Sequence, residues 1–124
     1  MKSSGKLTLA VFVMVLCAAL IACGGNALQE AADGFNSDEA MHAELEGIYT
    51  IHAQASGDST VVVTFRAELE ELAAPEVAQT VSDSAASEFQ AAIQEMRNAR
   101  ITDPIIVLEF LDTTGNLIYI REFS

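Results

Sequence analysis

The side chains able to do acid, base or metal chemistry are few, and their spacing argues against most sites. His42 and His52 are the only histidines among the 124 residues. In His42-Ala43-Glu44, with Glu46 beyond, residues two apart on a helix point to different faces. No third or fourth ligand is indicated, so a tetrahedral metal site is not expected. His52 falls beside Gln54 on the polar side of an alternating stretch, and both histidines read as solvent-exposed. Ser56, Ser59, Ser82, Ser84 and Ser87 are plentiful, but none sits in the glycine-flanked context of a nucleophile elbow. No glycine-rich loop is arranged to cradle phosphate. Glu68, Glu70, Glu71 and Glu76 form a local run that would attract a cation or a basic protein, and the simpler reading is a solvated connector. The expectation is a non-enzyme with no catalytic residue, no metal ligand set and no cofactor.

Two further stretches have the right residue types for chemistry. Asp112-Thr113-Thr114-Gly115 looks like an aspartic-protease Asp-Thr-Gly, but the extra threonine breaks the motif, and one copy cannot supply the two carboxylates that share a proton. As a calcium loop, Asp112, Thr114 and Asn116 lack the bidentate acid at the far end and the glycine at the required place. A hairpin turn accounts for every residue. The other stretch is Leu20-Ile21-Ala22-Cys23, which closes an apolar run begun at Leu7 behind Lys2 and Lys6. A positive start, sixteen apolar or small residues and a small residue before cysteine have the make-up of an export signal. At ~1.5 Å per residue the run reaches roughly 24 Å, short of a ~30 Å hydrocarbon core, which makes a lasting span the weaker reading.

Those four residues resemble the lipobox of bacterial lipoproteins. The resemblance implies diacylglyceryl transfer to the Cys23 thiol, cleavage between Ala22 and Cys23, and palmitate-type acylation holding the mature chain on the outer face of the cell membrane. The physics is compatible, because two acyl chains anchor stably where one holds only marginally. The competing reading is an ordinary signal peptide with Cys23 left free, an exposed thiol that would be a liability in an oxidising compartment. Cys17 lies inside the apolar run and would leave with it, so no disulfide is expected in a mature monomer. Gly24, not aspartate, follows the cysteine, so the inner-membrane retention signal known among lipoproteins of two-membrane bacteria is absent.

Charge narrows the partners. The formal net charge is −12, and loss of residues 1–22 would take away Lys2 and Lys6, leaving four arginines against eighteen acids, or −14. A chain with no lysine after the signal and no basic cluster does not bind nucleic acid through phosphates. An anionic lipid surface would repel it, so the domain is expected to stand off the membrane on a tether. The 102 residues that remain suit one domain with a modest core.

Residues 23–36 read as that tether, although Leu28, Ala31, Ala32 and Phe35 fall at helical spacing. Its flexible stretch, the twelve residues from Gly24 to Phe35, would have an r.m.s. span of roughly 20 Å. Asn36-Ser37-Asp38-Glu39 has the form of a capped helix start, and Met41, Leu45 and Ile48 continue it to a stop near Gly47. Alternation then predicts a hairpin, with Tyr49, Ile51, Ala53 and Ala55 on one side, a turn at Ser56–Ser59, and Val61, Val63 and Phe65 inward. Pro75 suits a first helical position. Val77, Val81, Ala85, Phe89, Ala92, Ile93 and Met96 mark a helix of about twenty-five residues, with Ser82-Asp83-Ser84 as the place for a kink. Ile105–Leu111 and Leu117–Phe123 flank a glycine-containing turn as a second hairpin, apolar on both parities.

The expected fold is α+β, in the order α-β-β-α-β-β: a four-stranded antiparallel sheet from two hairpins, a long helix across one face and a short N-terminal helix, in a domain over residues 37–124. The exposed sheet face is the expected site for a protein, peptide or envelope component. A small-ligand or metal carrier using a pocket between helix and sheet is the rival. The succession of lipobox, Asn-Ser-Asp-Glu helix start, threonine- and valine-rich hairpin, long helix and closing Gly115–Phe123 strand resembles an uncharacterised family of short lipoproteins from Gram-positive-type bacteria, known only as a domain of unknown function. That resemblance implies fold and location and no activity.

Overall fold

A computed structural model describes residues 27–37, 43 and 46–124. The signal stretch 1–22, Cys23 and most of the expected helix after Asn36 lie outside the described residues. Helix α1 spans Ala27–Asn36, strand β1 Tyr49–Ser56 and β2 Thr60–Ala67. A 3-10 turn at Glu70–Leu72 leads to α2, Pro75–Ser84, and α3, Ala86–Asn98; β3, Ile105–Leu111, and β4, Leu117–Phe123, close the chain. Part of the stretch expected as a tether is therefore helix, and Leu28 and Ala32, one turn apart, bury its inner side. Asn36 is the last residue of α1.

The four strands form one sheet in the order β1-β2-β3-β4. Both expected hairpins are present, with Ile51 opposite Phe65 in the first and Phe110 opposite Tyr119 in the second. Gly57 (φ 75°) and Gly115 (φ 92°) take the left-handed conformation their turns need. The fully antiparallel sheet is corrected: β2 and β3 run parallel, with Val63 beside Leu108. The reason is the helical connection. It descends across the sheet from the end of β2 and delivers the chain back to the end where β2 began, so β3 sets off in the same direction, as parallel neighbours require.

Helices cover one face. Val61, Val63, Phe65, Ile106, Leu108 and Phe110 alternate inward from the two central strands against Phe89, Ile93 and Met96 of α3. Phe65 stacks on Phe110 at 4.6 Å between ring centroids, and Phe89 on Phe123 at 5.5 Å. The long helix is two helices meeting at Ala85 (φ −98°, ψ 1°). In the first of them Ala78 and Ser82, one position on from Val77 and Val81, carry the buried line. Thr80 and Ser84 donate their hydroxyls to the carbonyls four residues back, and Ser82 to the one three back; such bonds bend a helix. At the far end Arg100 (φ 66°) makes the left-handed cap, with the N–H of Ile101 donating to Met96 and that of Arg100 to Arg97.

Candidate functional site

In this sheet, residues paired across strands share a face. Pairing His52 with Thr64, Thr64 with Glu109 and Glu109 with Ile120 gives one row of the face that the helices leave uncovered. Gln54, Val62, Val107 and Glu122 form the next. This is the surface expected as a binding site. It is half polar in β1 and β2, and it becomes apolar and acidic toward β4. Leu117 and Ile120 are 55% and 53% exposed, the most exposed large apolar side chains among the described residues. Arg66, on the same face, is occupied by the second hairpin loop, donating to the Thr113 carbonyl at 2.9 Å, while Thr113 donates its hydroxyl to Glu70.

The two sheet edges differ. At β1, the outer main chain of Ala53 is taken by the Asn36 side chain: Nδ2 donates to the Ala53 carbonyl at 2.7 Å and the Ala53 N–H donates to Oδ1 at 2.8 Å. Residues of a strand turn their main-chain groups alternately to either side. From Ala53 that alternation carries through Val63 and the parallel register to Leu108, and through Arg121 to β4. It leaves the N–H and C=O of Ile120 and Glu122 facing outward, where no strand follows in the sheet order among the described residues.

The inner face of β4 is fully employed. Arg121 reaches α2, where Nη1 bonds the Asp83 carboxylate and donates to Ser82 Oγ at 3.3 Å. Its guanidinium lies 4.8 Å from the Phe123 ring centroid, within cation–π range. Ser82, fully buried, thus has a donor and an acceptor, and two of the three polar residues that looked like a weak spot in the helix, Ser82 and Asp83, are the dock of the last strand. The sequence carries no signal for this, because the partners are 38 and 39 residues apart.

The Asp112 loop is a closed arrangement. Asp112 Oδ1 accepts the N–H groups of Thr114 and Asn116 at 3.0 and 2.9 Å and the Thr114 hydroxyl at 2.8 Å. The Asn116 N–H and the Thr114 hydroxyl, chief among these donors, hold the carboxyl below the ordinary aspartate range. Its Oδ2 accepts only the Asn116 carboxamide, at 3.4 Å, and the carboxylate serves the turn, as expected. Tyr49 is the opposite case. Its ring meets Phe65 and Phe110 edge-on, its hydroxyl is buried without a hydrogen-bond partner among the described residues, and burial pushes its pKa up. His52 is exposed, as expected, and His42, Ala22 and Cys23 lie outside the described residues. Among the described residues, no three His, Cys, Asp or Glu side chains gather as a metal-binding group, and no helix is long and apolar enough to cross a membrane.

No protein-family model, no curated protein and no solved structure matches the chain.

Proposed function

We propose that the chain is an extracytoplasmic lipoprotein, acylated at Cys23 after cleavage behind Ala22, whose α+β domain binds a protein, peptide or envelope component without catalysing a reaction. The observation that carries the location is the Leu20-Ile21-Ala22-Cys23 sequence at the end of an apolar run behind two lysines. A binding role is supported by one helix-free sheet face that ends in exposed Leu117 and Ile120. It is supported too by the structural occupation of the side chains best suited to chemistry: Asp112 in its turn, Ser82 and Asp83 under Arg121. Since α1 starts at Ala27, only residues 24–26 separate the lipidated cysteine from the helix, a reach of roughly 14 Å at most. The domain would therefore ride nearer the bilayer than a twelve-residue tether allows.

Labelled palmitate tests the location. It is expected to enter the wild-type chain and not Cys23→Ala, which should leave the membrane fraction; a Cys23→Ala chain that stays wholly with membranes, or a wild-type chain that takes up no label, refutes it. Immobilised full-length chain incubated with envelope extract tests the binding role, and consistent failure to enrich any component over a charge-scrambled control counts against it.

A further inference from the structure

From the asymmetry of the two edges we infer that β4 is a strand-addition site for an extended cationic peptide, which pairs with the outward main chain of Ile120 and Glu122. The inference rests on the binding role proposed above and specifies its mode. An uncovered edge is normally blunted by lysine, proline, a bulge or a covering element. At β1 that cover is α1 and the Asn36 carboxamide. Along β4, residues 117–123 contain no proline or lysine, and the one arginine is turned inward to Asp83. The irregularity in pairing lies at Phe110/Leu111, opposite the hairpin end of β4, and the strand beyond Tyr119 pairs regularly to Phe123.

The side chains bordering that edge define the occupant. Ile120 and Glu122 stand two apart on the open face, with Glu109 beside Ile120 and Val107 beside Glu122 on the neighbouring strand. Among the described residues no cation pairs with Glu109 or Glu122; Glu109 accepts only the Thr64 hydroxyl, at 3.4 Å. An added strand presents every second side chain to this face. An apolar residue beside Ile120 would be covered by it and by Leu117, and a lysine or arginine two positions away would meet Glu122 with Glu109 behind. Cross-strand pairs of these kinds stabilise a sheet, and like charges in the same places oppose it. A second copy of the chain is the poorer occupant, because it would set two acidic edges together on molecules that each carry a net charge of −12.

The test uses the full chain in nonionic detergent and the blocked heptapeptide Thr-Lys-Thr-Val-Thr-Lys-Thr. Binding is followed through the amide NMR signals of β4. The expected result is a shift centred on Ile120 and Glu122. Affinity should be at least tenfold higher than for the same peptide with glutamates in place of the lysines, and lost when the valine nitrogen is methylated. Ile120→Pro removes an outward N–H without touching the ladder to β3 and should weaken binding tenfold or more. Glu109→Gln/Glu122→Gln, which leaves the backbone alone, should abolish the preference for lysine over glutamate. Equal binding of the two peptides, shifts confined to β1, or an unchanged lysine preference in the double variant overturns the inference. So does a concentration-dependent dimer that Ile120→Pro dissolves, which would make a second copy the occupant. Protection of the Ile120 and Glu122 amides from exchange in the peptide-free monomer would mean that the chain fills its own edge, and also overturns it. If Ile120→Pro enriches the same envelope component as wild type, strand addition fails while the binding role stands; if wild type enriches nothing, the role fails whatever the heptapeptide does.

Discussion

Asn36 and Ala53 are joined by two hydrogen bonds through one carboxamide, so a side chain at the end of α1 takes the place a neighbouring strand would have at β1. Asn36→Ala removes both bonds and opens the edge to water. Since each such bond is worth about 1 kcal/mol net, the variant should lose roughly 1–2 kcal/mol of unfolding free energy in urea. Hydrogen exchange at the Ala53 amide should accelerate by more than at Val63, in the sheet interior.

Arg121 gives a graded expectation. The Asp83 side chain is 58% exposed, and an ion pair in that setting is worth at most about 1 kcal/mol. Asp83→Asn should therefore cost under about 1 kcal/mol, with the difference vanishing in high salt. Ser82→Leu adds volume at a site with no exposure and should cost about 1–3 kcal/mol regardless of salt. Denaturant melts at two ionic strengths separate the two.

Asp112 sets an acid limit. Its folded-state pKa lies below the ordinary value, so its contribution is complete above about pH 4, where the unfolded chain ionises, and is lost as pH falls through the folded-state pKa. Asp112→Asn should flatten the decline of stability across that acid range and leave the alkaline side unchanged, as read by thermal melts between about pH 5 and pH 2.

Tyr49 works in the other direction. Burial raises its folded-state pKa, so its contribution is complete below about pH 10 and is lost as the solution becomes alkaline enough to ionise the unfolded chain and then the folded one. Tyr49→Phe removes a buried hydroxyl that has no partner among the described residues. It should stabilise the fold by about 1 kcal/mol at neutral pH and push alkaline unfolding upward, measurable by denaturant titration at pH 7 and pH 11.

What the residues announced locally they did form. Alternation placed Tyr49, Ile51, Val61, Val63 and Phe65 inward, Pro75 opens α2, and the glycines at 57 and 115 turn the hairpins. The neighbour relation between β2 and β3 had no such mark, because apolar period fixes which way a side chain points and not which strand lies beside it. Asn36 has a role that no sequence pattern marked: a carboxamide that suits a helix start suits the bare main chain of an edge strand equally well. In β4, Tyr119, Arg121 and Phe123 share a face with Phe110 and Leu108, although arginine reads as outward; only the carboxylate and hydroxyl waiting on α2 turn it in. The same inversion left Ile120 in solvent, so the proposed docking edge was hidden by a residue type that ordinarily signals interior.

The parallel seam also sets an order of assembly. Each hairpin closes over a few residues, whereas Val63 and Leu108 meet only after 45 residues have been looped out. Loop closure is slow when its entropy is lost before any contact is gained, so the two hairpins should form early and the centre of the sheet last. Until then the inner edges of β2 and β3, with the buried apolar side chains they carry, lie bare in each half, and an unfolded chain is at greatest risk of aggregation in that interval.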